Sequence, residues 1–135
     1  MREYTTQMEA ARKGIITPEM KAVATKEFRT EEELRALVAK GQVVICANKL
    51  HTCIDPNGIG SMLRTKINVN LGVSRDCNDY DIELQKVMSA VDLGAEAIMD
   101  LSSHGNTQPF RKYLVEKCPA MIGTVPVYDS VIHYQ

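Results

Sequence analysis

Clustered metal ligands, long apolar runs and net charge are all scarce in this chain of 135 residues. Its four cysteines, Cys46, Cys53, Cys77 and Cys118, form no C-x-x-C pair, and the closest two are seven positions apart. Zinc and iron–sulfur sites show tighter clusters. His51, His104 and His133 are equally dispersed. No complete metal site is therefore expected within the chain, and the cysteines read as reduced packing residues of a cytosolic protein. No stretch approaches the roughly 20 apolar residues of a membrane span. The start, MREYTTQMEAARKG, has no apolar signal core, which argues against a secretory leader and for a cytoplasmic location. A net charge of −1 leaves no electrostatic footprint for nucleic acid or an acidic membrane. With 44% apolar and 24% charged residues, the composition is that of a soluble globular chain of at most one ordinary domain.

Two regimes follow one another. Residues 1–64 read as a helical segment with a short strand and a long loop. "TPEM" places Thr17 as N-cap and Pro18 at the first helical position, where its missing N–H costs nothing. "TEEE" is a capping box, Thr30 at the cap and Glu33 three residues on, followed by an apolar stripe of Leu34, Leu37 and Val38. "VVICA" (43–47) is a short strand candidate. "NKLHTCIDPNGIGSMLR" (48–64) reads as a long irregular connection with a DPNG turn, long enough to suggest a binding loop or a subdomain edge.

From residue 65 onward the pattern alternates strand, helix, strand, helix, strand. In "TKINVNLGVS" Ile67, Val69 and Leu71 point one way and Lys66, Asn68 and Asn70 the other. "DYDIELQKVMSAVDLG" (79–94) and "TQPFRKYLVEKC" (107–118) are the helices; "AEAIMDLSS" (95–103) and "AMIGTVPVYDS" (120–130) are the later strands. The alternation predicts adjacent parallel strands over 65–70, about 95–99 and about 121–126, with helices 79–93 and 107–117 on one outer face. Residues 65–135 thus read as about three βα units of a partial (β/α)8 TIM-type barrel, an α/β fold. Parallel strands under helices have both faces covered, so the polar face of 66–70 is expected to line a pocket rather than to lie in water.

In such a barrel, polar groups at strand C-terminal ends form the site. Asn70 stands at one such end, Met99 and Asp100 at the next, Tyr128 and Asp129 at the third. Asn70 to Met99 is 29 residues and Met99 to Tyr128 is 29 again, close to the roughly 30 residues of one barrel repeat. Taken singly, Asn70 could be a turn residue, Met99 a core packer and Tyr128 a rim aromatic; the shared interval is what raises all three. Asn70 offers an acceptor and a donor to a heterocycle bearing an amino group, Met99 a polarisable thioether, Tyr128 a hydroxyl within reach of a ribose or phosphate. Asn68 is expected deeper in the barrel, serving stability more than affinity.

Four tracts, "ARKGIITPEMKAVA", "TKINVNLG", "AEAIMDLSSHG" and "PAMIGTVPVYD", together resemble the phosphomethylpyrimidine synthase (ThiC) family of thiamine biosynthesis, over essentially the whole chain. The start, a few residues before "TQMEAARKG", is similar to the short form without the family's extra N-terminal domain. The resemblance implies a (β/α)8 barrel and a radical S-adenosylmethionine carbon–carbon lyase with a [4Fe–4S] cluster and zinc, a homodimer when full length. The resemblance further implies conversion of aminoimidazole ribotide to hydroxymethylpyrimidine phosphate, with substrate contacts on Asn70, Met99 and Tyr128. The family's C-x2-C-x4-C cluster motif, its metal-binding histidines and the later strands that grip the phosphate do not occur here, so the chain is similar to an N-terminal portion, and on its own is expected to be inactive. "CANKLH" stands where the family more usually has Pro-Ala-Asn. Two further readings stay open: a 5-hydroxybenzimidazole synthase using the same ribotide, and a non-catalytic fragment or ribotide-binding or interaction module.

Overall fold

The computed structural model describes residues 3–134; the ends of the expected segments at residues 1–2 and 135 lie outside the described residues. Contacts group the chain into two compact units, residues 1–47 with 56–65, and residues 48–55 with 66–135. The segment 48–55, expected to belong with the N-terminal helices, falls in the second unit. No helix among the described residues is long and apolar enough to cross a membrane.

The first unit holds α1 (Gln7–Arg12), α2 (Pro18–Lys26), α3 (Glu31–Ala39), β1 (Val43–Ile45) and β2 (Gly58–Gly60). Its helices start where the capping residues place them. The Thr17 hydroxyl accepts from Met20 N at 3.1 Å with Pro18 opening α2. Thr30 and Glu33 form the reciprocal capping box of α3, at 3.2 Å and 3.0 Å; a cap of this kind is worth about 1 kcal/mol. Met20, Val23, Leu34, Val38, Val43 and Ile45 are buried together as the core.

Strand β2 lies within the stretch whose sequence predicts an irregular loop. It pairs antiparallel with β1, Val43 opposite Gly60 and Ile45 opposite Gly58. Its sequence is Gly-Ile-Gly, poor in strand formers, so the sequence carries no strand signal. The pairing itself needs the glycines: a Cβ on Gly60, whose φ is +146°, would stand 2.1 Å from the Gln42 carbonyl oxygen.

The second unit runs β3 (Asn68–Leu71), α4 (Tyr80–Asp92), β4 (Ala97–Asp100), α5 (Gln108–Lys117), β5 (Met121–Thr124) and α6 (Pro126–Tyr134). The three strands form one parallel sheet in the order β3–β4–β5, as the alternation predicts. Asp79 caps α4, its carboxylate accepting from Asp81 N and Ile82 N. Val87 of α4 and Phe110 and Leu114 of α5 are buried with Ile98, and Val69, Leu71 and Ile122 pack against them. Both helices therefore cover the face carrying these alternate strand residues. The loop 48–55 closes the carboxyl end of α5. His51 Nε2 lies 2.6 Å from Cys118 O, Cys53 Sγ lies 3.4 Å from the same oxygen, and Asp55 N donates to Pro119 O at 2.9 Å. These contacts give partners to the carbonyls of the two residues that carry the chain out of α5, Cys118 at its cap and Pro119 just beyond.

The third strand is shorter than expected. Regular pairing stops at Thr124, and Pro126 opens α6 instead of continuing a strand to residue 126. Proline cannot donate to a ladder but is pre-set for the first helical position.

Candidate functional site

Parallel pairing puts one residue from each strand in every row of the sheet. One row is Val69, Ile98 and Ile122, under the helices; the next is Asn70, Met99 and Gly123, on the opposite face. Asn68 and Asn70 both point to that opposite face and both are exposed in this chain. The polar side of "TKINVNLGVS" is thus turned away from α4 and α5, and Asn70 and Met99 stand side by side as the 29-residue interval predicts.

Asn68 lies on the same face, exposed in this chain as Asn70 is, and its amide nitrogen donates to Asn70 Oδ1 at 3.0 Å. With one lone pair of Asn70 so engaged, the Asn70 amide nitrogen and the second lone pair remain for a ligand. Asn68 orients Asn70.

Tyr128 does not extend this row. The residue paired with Met99 on the third strand is Gly123, and Tyr128 lies in α6, 38% exposed. The equal interval therefore does not report equal height on three strands; Pro126 turns the chain into a helix before residue 128 is reached.

Asp100 and Asp129, also 29 residues apart, are joined by a residue the sequence did not single out. Arg111 of α5 donates from Nε to Asp100 Oδ2 at 2.7 Å and from Nη1 to Asp129 Oδ2. Asp100, fully buried, also accepts from the Ser102 amide at 3.0 Å and from its hydroxyl. Thr107 donates to Asp129 Oδ1 at 2.9 Å. Arg111 thereby ties the residue after Met99 to the residue after Tyr128. Two carboxylates against one guanidinium leave the group with a negative balance, which makes it a clamp rather than an anion site. The Arg111 hydrogen bond, assisted by Thr107, holds the Asp129 carboxyl below its ordinary value. Burial, reinforced by the Asp100 charge, raises the nearby Tyr80 phenol. On the β3 side, buried Glu83 accepts from Gly72 N at 2.9 Å and pairs with Lys86, holding the chain as it leaves the strand. The signal for Arg111 in the sequence was faint: one basic residue in the first turn of a helix, where a cation opposes the dipole and so needs another reason.

Among the described residues, no three His, Cys, Asp or Glu side chains are grouped to hold a metal ion. The cysteines are free: Cys46 and Cys77 are exposed, Cys53 is half-buried, and burial raises the Cys118 thiol.

An α/β unit with polar side chains on the uncovered face of parallel strands has the architecture in which small ligands bind at strand carboxyl ends. The Radical SAM ThiC family matches residues 6–135. The chain is 63% identical over 132 residues to a phosphomethylpyrimidine synthase of Alkaliphilus oremlandii (strain OhILAs), covering 98% of this chain and 30% of that protein. It is 60% identical over 131 residues to the phosphomethylpyrimidine synthases of Clostridium botulinum (strain Hall) and Clostridium kluyveri (strain NBRC 12016), covering 97% of this chain and 30% of each relative. The chain belongs to the radical SAM ThiC family. It spans under a third of the length of these curated relatives.

Proposed function

We propose that this chain is the N-terminal part of a cytoplasmic phosphomethylpyrimidine synthase, a carbon–carbon lyase of thiamine biosynthesis. The substrate is aminoimidazole ribotide, rearranged with S-adenosylmethionine to 4-amino-5-hydroxymethyl-2-methylpyrimidine phosphate. The observation that carries the reading is the 63% identity to a protein of that name over 98% of the chain. The three-stranded parallel sheet is read as the opening of a (β/α)8 barrel, and the full-length protein as a homodimer. Its [4Fe–4S] cluster and zinc ion take their ligands from outside this segment.

The part assigned to these residues is to bind and orient. The Asn70 amide, set by Asn68, hydrogen-bonds the amino-bearing imidazole. Met99, in the same row, packs its thioether on the ring. Tyr128 reaches the ribose or phosphate from α6, its helix fixed by the Asp129–Arg111–Asp100 clamp. Holding a substrate in a single geometry removes much of the entropic cost of reaction.

The test is product analysis of the full-length protein after anaerobic reconstitution with iron and sulfide, given the ribotide, S-adenosylmethionine and dithionite as the one-electron reductant. Hydroxymethylpyrimidine phosphate is the expected product. Formation of 5-hydroxybenzimidazole, or ribotide returned unchanged by a reconstituted protein, would refute the assignment.

A further inference from the structure

We propose that Gly123 is a positioning residue of the ribotide site, acting through Met99; this rests on the reading of Met99 as a ligand contact. The two residues are partners across β4 and β5. A Cβ on Gly123 would stand 2.7 Å from Met99 Cε and 2.9 Å from Met99 Sδ. The end of the Met99 side chain therefore lies across the sheet in the space a side chain at 123 would occupy.

Glycine in a strand carries an entropic cost, and backbone conformation does not require it here, since Gly123 lies outside the left-handed region. What excludes a Cβ is Met99. Ordinary carbon contacts are about 3.5–4.0 Å, so one added methyl displaces the thioether by about 1 Å. With the β5 side filled, the displaced end either lifts from the sheet or swings back along the row toward Asn70. The swing places it in the space above the Asn70 amide, where the heterocycle is read to sit, and the lift raises it from the level at which it would meet the ring. Gly123 thus keeps Met99 flat and the space over Asn70 open.

The experiment is calorimetric titration of aminoimidazole ribotide into the full-length protein and its Gly123→Ala, Met99→Ala and doubly substituted forms. Each single change is expected to weaken binding by about tenfold, and the double form to bind no worse than Met99→Ala alone, within about twofold. The 13C-methyl resonance of Met99 should also shift in Gly123→Ala, a change that a remote loss of stability would not give. Ribotide binding unchanged by Gly123→Ala, beside a weakened Met99→Ala, overturns the role of Gly123 alone. Binding unchanged by Met99→Ala removes Met99 as a contact and the proposal with it. Additive losses in the double form, or an unshifted Met99 methyl, show that Gly123 does not act through Met99. If Gly123→Ala does not fold, recovery of folding by Met99→Ala supports the contact, and failure to recover overturns the proposal.

Discussion

Replacing Arg111 by methionine separates two ion pairs that look alike on paper. On one side stands Asp100, whose side chain is fully buried; on the other stands Asp129, 37% exposed. Removing one partner of a buried pair leaves an uncompensated charge and costs about 3–5 kcal/mol, whereas an exposed pair is worth up to about 1 kcal/mol. Asp100 keeps its two hydrogen bonds from Ser102, which places the cost of Arg111→Met at about 3–4 kcal/mol. Asp129→Asn should cost less than about 1 kcal/mol. Hydrogen–deuterium exchange of the full-length protein reads the difference locally. In Arg111→Met, peptides covering residues 97–134 should exchange on the order of 10²–10³ faster, at about 1.4 kcal/mol per tenfold, while peptides from α1–α3 keep their rates. Adding Asp100→Asn should recover most of the loss, because the stranded charge is then gone. Exchange in Arg111→Met no faster than in Asp129→Asn, or no recovery in the double substitution, would refute this account of the clamp.

Two further outcomes follow from the site. Asn70→Ala should weaken ribotide binding by roughly ten- to a hundredfold, since a lost partner in a buried site costs about 1–3 kcal/mol; Asn68→Ala should loosen binding by about fivefold with the melting temperature unchanged, because its hydrogen bond serves Asn70. Calorimetry and thermal melting on both variants decide between this and a purely structural role. The Asp129 carboxyl is depressed on folding by Arg111, so its contribution is fully present above its unfolded value of about 4 and is lost as pH falls through the lower folded value. Melting curves from pH 8 to pH 2 should therefore show Asp129→Asn lowering the curve by a constant small offset at pH 5–8, with the slope there unchanged, and flattening the slope below about pH 4, where the two proteins converge.

What was legible in the sequence follows from how local each signal is. Thr17–Pro18 and Thr30–Glu33 act within one helical turn, and the helices start where these residues place them. The parallel strands were legible because a two-residue alternation and two amphipathic helices point to the same architecture. Strand β2 was not legible, because its glycines are chosen by what they press against elsewhere in the chain, Gly60 by the backbone at Gln42 and Gly58 by the side chains of Leu63 and Val23. The 29-residue interval was half informative. It paired Asn70 with Met99 correctly, but a single proline converted the third register position into a helical one. Arg111 could not be found locally, since its partners are 11 and 18 residues away on other elements.

The return of segment 48–55 to the second unit means that the chain passes from one unit to the other three times, after Ala47, Asp55 and Thr65. No single cut in the gene separates the units. A fragment begun at Lys66 would contain every strand of the parallel sheet yet leave the carbonyls of Cys118 and Pro119 without His51, Cys53 and Asp55. Recombination between relatives at residue 65 would likewise join an α5 from one parent to a closing loop from another. Shuffling of this region among its relatives is thereby confined to exchanges that carry loop and helix together, a constraint on its evolution set by connectivity rather than by chemistry.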